Sequence, residues 1–186
     1  MADQLYLSYW VRGFTAHNML RHFHKLLSAF PFSHLSPRAP LLRIYAIECI
    51  EPPILERSFD WTTTVDTVIE SAAEFRHPDC CYFVEAYWDL WRFHADWTLT
   101  PSGVTLACFG PLSRSDLGDH LRIEFGRDSD FLPQPEIPNS ASKVQSNIRG
   151  LLRLAHELDE VLPADRRQLW SETEEDFAGR LQAALS

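Results

Sequence analysis

Histidine, carboxylate and arginine side chains lie at alternating positions in strand-like segments, where they could do acid–base chemistry. His120, Arg122 and Glu124 alternate with apolar residues, so they share one face of a predicted strand. Asp89 lies in a second segment of this kind. A histidine and a carboxylate support general acid–base catalysis when both line one pocket. One hypothesis is therefore a polar pocket formed by these four residues, which would bind a small ligand or a substrate.

Other histidines and cysteines are weaker candidates for chemistry. His17 and His24 lie two turns apart on a predicted helix, about 10 Å along its axis, which is too far for them to share one metal ion. Cys49 and Cys108 would act as nucleophiles only beside a base that lowers the thiol pKa, and their apolar surroundings favour buried, unreactive thiols. We therefore predict neither a metal site nor a cofactor.

The sequence lacks the motifs of several common enzyme classes. It has no glycine-rich phosphate-binding loop, and its 7 glycines make such a loop improbable. The HExxH metal-binding pattern and the GxSxG nucleophile pattern do not occur either. These absences favour a binding protein over an enzyme.

The net charge limits the classes of partner. The chain has 26 acidic and 17 basic side chains, giving a formal net charge of -9. An acidic protein repels the phosphate backbone of nucleic acids and the headgroups of an anionic membrane. The sequence therefore predicts that neither nucleic acid nor membrane is a partner.

Cysteine usage and the N-terminal residues indicate a location. Four cysteines in 186 residues do not form a disulfide framework, so buried free thiols are expected. The N-terminal residues lack the pattern of a secretory signal peptide, and no apolar run approaches the about 18 residues that a membrane span requires. Together these observations predict a cytoplasmic protein.

Hydrophobic periodicity predicts an α+β fold with a mainly antiparallel sheet. Strands are predicted at 5–11, 41–50, 54–59, 82–93, 104–109 and 120–125, and helices at 15–30, 62–75, 140–163 and from 165 onward. A turn is predicted at 101–103. The order βαββαβ in the first half is that of ferredoxin-like folds, and two further strands and two C-terminal helices follow.

The same pattern predicts one domain over residues 1–186. An α+β core is expected at 1–126, and a proline-rich connector at 127–140. Residues 141–186 are expected to form a helical extension that packs on the core.

The predicted sheet has two chemically different faces. The inward face is apolar and comprises Leu5, Leu7, Val84, Ala86, Leu90, Leu121, Ile123 and Phe125. The opposite side, which we call the polar–aromatic face, comprises Tyr6, Ser8, Trp10, Arg12, Glu85, Tyr87, Asp89, Trp91, His120, Arg122 and Glu124. Tyr, Trp and Arg are enriched at binding hot spots, so this face is the main candidate site.

Three hypotheses describe the polar–aromatic face: burial under the two C-terminal helices, contact with another chain, or a pocket for a small ligand. We predict a non-enzymatic binding protein that uses this face for a protein partner or for self-association as a homodimer. The predicted binding residues are Trp10, Arg12, Glu85, Tyr87, Asp89, Trp91, His120, Arg122 and Glu124. The alternative is the small-ligand-binding protein or enzyme with the polar pocket described above.

Overall fold

Strands dominate the structure, a computed structural model that describes residues 3–36, 38–49, 51–60, 62–113, 115–172 and 176–186. The strands are β1 (Gln4–Val11), β2 (Leu41–Ala46), β3 (Leu55–Ser58), β4 (Cys80–Phe93), β5 (Trp97–Phe109), β6 (Leu121–Arg127) and β7 (Ala164–Ser171). The helices are α1 (Met19–Ala29), α2 (Val65–Ala73), α3 (Ser140–Val161) and α4 (Phe177–Leu185), and a short 3-10 helix spans Asp128–Phe131. The predicted α+β class is confirmed.

All seven strands belong to one antiparallel sheet in the order β3-β2-β4-β5-β6-β1-β7. The ferredoxin-like arrangement is not confirmed, because β5, β6 and β7 join the sheet in addition to the first four strands. β1 pairs with β6 and β7, which both follow it late in the chain. The sheet therefore depends on pairings between distant segments.

The β4–β5 hairpin is longer than the sequence predicts. The two strands pair without interruption from Cys81 opposite Phe109 to Phe93 opposite Trp97, so the turn predicted at 101–103 is wrong. Pro101 lies within β5. A strand tolerates proline where one of its edges has no neighbour, and β6 pairs with β5 only at 105–108.

The C-terminal region contains a strand where a helix was predicted. Residues 164–171 pair with β1, so a last helix starting near Asp165 is wrong, and α4 begins at Phe177. Positions 173–175 of that predicted helix lie outside the described residues. The long preceding helix is confirmed as α3, which ends before Pro163 because the residue before a proline disfavours the helical conformation.

The helices pack against the inward face of the sheet. Leu5, Leu7, Ile123 and the other residues predicted for this face are at most 5% exposed. They share one buried cluster with side chains from all four α-helices, among them Phe23, Ala72, Ile148 and Phe177. A separate small cluster on the opposite face draws only on strands and on the segment that holds Cys49. Within the described residues, the helices therefore leave most of the polar–aromatic face uncovered.

One buried asparagine anchors α3 to the sheet. The Asn147 side-chain oxygen accepts a hydrogen bond of 2.8 Å from the backbone N–H of Trp91, and its amide nitrogen donates to the carbonyl oxygens of Trp91 and Asp130, both at 2.9 Å. Asn147 is 3% exposed. The side chain thereby satisfies backbone groups at the end of β4 that have no partner strand.

Candidate functional site

The strand register places several predicted residues side by side on the polar–aromatic face. One row of directly opposed residues crosses five strands and contains Glu85, Thr105, Glu124, Tyr6 and Trp170. The next row contains Phe83, Ala107, Arg122, Ser8 and Gln168. Because side chains two apart on a strand point to the same face, Arg122 and Glu124 lie at the centre of one surface.

Arg122 is held in place by a buried carboxylate and by aromatic rings. Its Nε and Nη2 atoms donate to the two carboxylate oxygens of Asp119, both at 2.8 Å, and the Asp119 side chain has no exposed surface. The guanidinium carbon lies 4.9 Å from the ring centroid of Phe109, 5.8 Å from that of Tyr6 and 5.9 Å from that of Trp170. Burial lowers the pKa of Arg122, but the hydrogen bonds and charge of Asp119 raise it above its ordinary value.

Glu124 lies beside this ion pair and has no partner of its own among the described residues. No described side chain or backbone group donates a hydrogen bond to its carboxylate. Burial raises the pKa of Glu124, the nearby Arg122 lowers it, and Asp119 and Glu172 raise it further; the net shift is upward. Glu124 is thus a partly desolvated carboxylate that could accept hydrogen bonds from a ligand.

A hollow of about 370 Å³ opens on the face at this point. Its lining consists of Glu48, Cys49, Phe83, Phe109, Ser115, Asp116, Arg122 and Glu124. We call this feature the Arg122 hollow. It combines two aromatic walls with a fixed guanidinium and several carboxylates, so it can contact apolar and polar groups of one ligand at the same time.

Three other predicted residues lie on β4 and have internal partners. Glu85 forms an ion pair with Arg43, and the Tyr87 hydroxyl accepts a hydrogen bond of 3.0 Å from Arg38. Asp89 accepts a hydrogen bond from the Ser33 hydroxyl, which fixes the loop after α1. Asp89 lines a different cavity from the Arg122 hollow.

The tryptophans of the predicted site are covered by cationic side chains. Lys143 of α3 lies 3.7 Å above the Trp91 ring, and Arg166 lies 4.3 Å above the Trp10 ring. Arg12 forms an exposed ion pair with Asp165. These groups flank the sheet face at its margins and do not reach the Arg122 hollow.

His120 does not join the polar face either. Its Nδ1 accepts a hydrogen bond of 2.8 Å from the backbone N–H of Val11, and its ring stacks on Phe14 with 4.3 Å between centroids. Burial lowers the pKa of His120. Of the four residues in the predicted acid–base pocket, Arg122 and Glu124 line the same hollow, whereas Asp89 lines a different cavity.

Several residues of the site were not among the predicted binding residues. These are Tyr6, Glu48, Cys49, Phe83, Phe109, Ser115, Asp116, Asp119 and Trp170. Phe83 alternates with predicted residues of β4, so the strand pattern would have found it. Trp170 lies in the segment predicted as the last helix, where the adjacent Arg166 and Arg167 leave no clear strand-like alternation.

A comparison with protein-family models, with curated proteins and with solved structures found no match to this chain. Among the described residues, no three His, Cys, Asp or Glu side chains are grouped so that they could hold a metal ion. None of the helices in the described ranges combines the length and the apolar character needed to cross a membrane.

Proposed function

We propose that the protein is a non-enzymatic binding protein that contacts a basic protein partner through its polar–aromatic face. The observation that supports this proposal is the one-sided packing of the helices, which leaves half-buried aromatic side chains and carboxylates together on the opposite face. A surface of that composition suits a partner that completes its burial.

Charge complementarity favours a basic partner. On the polar–aromatic face, the charge of Arg43 is balanced by Glu56 and Glu85. The charge of Arg122 is balanced by Asp119. Glu124, Asp116 and Glu172 add negative charge around the Arg122 hollow, which attracts lysine and arginine side chains and steers a basic protein toward the face.

The aromatic residues supply apolar contact area beside these charges. Tyr6 and Trp170 stack with 4.2 Å between ring centroids, so they form a pre-ordered platform next to Arg122. Phe83 and Phe109 pack edge to face at 5.8 Å on the other side of the hollow. Rigid aromatic groups lose little conformational entropy on binding, which favours affinity.

Self-association is the less favoured form of this interaction. In a homodimer built on this face, the carboxylates of one copy would lie close to those of the other, and like charges opposed across an interface weaken it.

A cytoplasmic location and the exclusion of nucleic acid belong to the same proposal. An acidic binding face repels a phosphate backbone, and all four cysteines have free thiols.

A small ligand in the Arg122 hollow is the second candidate function. The volume of about 370 Å³ falls within the range of ligand pockets, and the aromatic walls with two opposite charges would orient a zwitterionic or polar aromatic molecule. In that case Arg122 and Glu124 would contact the ligand directly.

The test is binding to a panel of purified basic proteins, measured by biolayer interferometry at low and high salt. We expect a panel member to bind the wild type and the control variant Glu70→Lys, which makes the same charge change on the exposed surface of α2. Its affinity should fall about tenfold or more for Glu124→Lys, because the new cation faces the basic partner.

Two outcomes would count against the proposal. One is binding that Glu124→Lys and Glu70→Lys weaken equally, which would indicate a non-specific charge effect. The other is a wild-type dimer in size-exclusion chromatography with light scattering that becomes a monomer on the Glu124 substitution. That result would assign the face to self-association.

A further inference from the structure

Two cysteines meet at the floor of the Arg122 hollow. Cys49 is half-buried and lines the hollow, and it packs against a small cluster in which Cys81 of β4 is fully buried. The Cys81 thiol donates a hydrogen bond of 3.9 Å to the carbonyl oxygen of Tyr45, a residue that packs against the same cluster as Cys49. Tyr45, Phe83 and Phe109 surround the pair, so it is shielded on the sides and open toward the hollow.

A tight turn brings Cys49 back over the sheet. The backbone N–H of Glu48 donates to the carbonyl oxygen of Ala46 at 2.8 Å, and Ile47 between them has φ 69. A positive φ is unusual for a β-branched residue and is found where the surrounding structure enforces it. The turn reverses the chain at the end of β2, which returns Cys49 to the cluster that contains Cys81.

The other two cysteines cannot take part in the same chemistry. Cys108 is fully buried on the helix side of the sheet, where its thiol contacts the carbonyl oxygen of Met19. Cys80 precedes Cys81 on the same strand, so its side chain points to the opposite face. Both thiols lie in the core on the helix side of the sheet, away from Cys49, and burial raises the pKa of each.

Electrostatics divides the roles within the pair. Interaction with the Cys81 thiol lowers the pKa of Cys49, burial opposes this effect, and the nearby Arg122 guanidinium lowers the pKa further. The same interaction and burial raise the pKa of Cys81. Because Cys49 lines the hollow and has the lowered pKa, it is the thiol that reacts first, and Cys81 is the thiol that reacts second.

From this geometry we propose that Cys49 and Cys81 form an intramolecular disulfide when the protein meets a hydroperoxide. The Cys49 thiol loses its proton, and the thiolate attacks one oxygen of hydrogen peroxide and breaks the O–O bond. Cys49 becomes a sulfenic acid, and the hydroxide that leaves takes up the proton lost by Cys49 to become water. The Cys81 sulfur then attacks the Cys49 sulfur, the S–O bond breaks, and the hydroxyl leaves with the Cys81 proton as a second water. Two thiols lose two electrons in total and one peroxide gains them.

The disulfide changes the Arg122 hollow, and this consequence rests on the proposed function. Formation of the bond fixes Cys49 against β4 and removes an ionisable thiol from the wall of the hollow that also contains Arg122. The bond would therefore alter the affinity of the face for its partner, so that partner binding responds to peroxide.

The test uses intact-mass and peptide mass spectrometry of the native protein after treatment with hydrogen peroxide. We expect the wild type to lose about 2 Da, the mass of two hydrogens, and to yield one cross-linked peptide pair that contains Cys49 and Cys81. The Cys49→Ser variant should keep its mass. The Cys81→Ala variant should stop at the sulfenic acid of Cys49, which dimedone labels.

Two results would overturn the proposal. In one, the treated wild type retains four thiols that react with a thiol reagent after denaturation. In the other, Cys49 gains two oxygens as a sulfinic acid while Cys81 stays reduced. The mass readout needs no partner, so its failure is distinct from failure of the proposed partner binding.

Discussion

The Arg122 guanidinium binds both carboxylate oxygens of Asp119, and the pair lies under the rings of Phe109, Tyr6 and Trp170. The side chains are 11% and 0% exposed, which makes this ion pair far more buried than the other arginine pairs of the face. Its role is to hold a guanidinium at one position within the hollow.

Removal of one partner should strongly destabilise the protein. We predict that Asp119→Asn lowers the free energy of unfolding by about 3–5 kcal/mol, because it leaves the buried Arg122 charge uncompensated. Urea denaturation followed by tryptophan fluorescence measures the change. The matched control is Asp165→Asn, which breaks the exposed pair with Arg12 and should cost at most about 1 kcal/mol. Equal effects of the two substitutions would contradict a structural role for the buried pair.

Glu124→Gln should stabilise the protein at neutral pH while it weakens partner binding. The folded-state pKa of Glu124 is raised, so its ionised form opposes folding, and this cost sets in as pH rises above its ordinary value of 4.5. The urea midpoint of the variant should therefore exceed that of the wild type at pH 7, and the two should converge in acid. A variant that is less stable than the wild type at pH 7 would show that Glu124 has a stabilising partner.

Acidification should destabilise the corner that contains His22 and His120. Burial lowers the pKa of both residues below the ordinary value of 6.5, and Nδ1 of His22 is buried without a hydrogen-bond partner. The unfolded state takes up protons first, so stability is complete above pH 6.5 and is lost as pH falls below it. The free energy of unfolding measured from neutral to mildly acidic pH should show this slope. His22→Leu should reduce the slope; an unchanged slope would exclude His22 as a contributor.

Asn147→Leu should detach α3 from the end of β4. The substitution removes three hydrogen bonds and leaves the backbone groups of Trp91 and Asp130 without their partner. We predict a loss of about 2–4 kcal/mol in the free energy of unfolding, measured by urea denaturation. Ser146→Ala, one residue earlier on the exposed side of the helix, should change stability by less than about 0.5 kcal/mol. A loss of stability that is no larger for Asn147→Leu than for Ser146→Ala would refute the anchoring role of Asn147.

Local alternation predicts the inward face of the sheet correctly, because burial of apolar side chains depends only on their two-residue period along each strand. Leu5, Ile123 and Phe125 illustrate this, since each lies in a short segment whose apolar and polar residues alternate. The same period places Arg122 and Glu124 on the opposite face. These features follow from residue types within a few positions of one another.

Strand β7 and the part of β5 around Pro101 are not predicted from the sequence, because pairing with distant strands determines their structure. Residues 164–171 have exposed Arg166 and Arg167, which suit a helix as well as a strand, and they form β7 only because the edge of β1 offers hydrogen-bonding groups. Pro101 signals a turn, but pairing with β4 extends the strand through it. Local propensity is a weak influence where a neighbouring strand supplies a full ladder of hydrogen bonds.

The candidate site likewise combines what the residue pattern predicts with what the strand order decides. The pattern places Glu85, Asp89, His120, Arg122 and Glu124 on one polar–aromatic face. The strand order brings Arg122 and Glu124 together with Phe83, Cys49 and Trp170, and it separates them from Asp89 and His120. Residue type and period act within a strand, whereas the neighbours across strands depend on how segments more than a hundred residues apart pair in the folded chain.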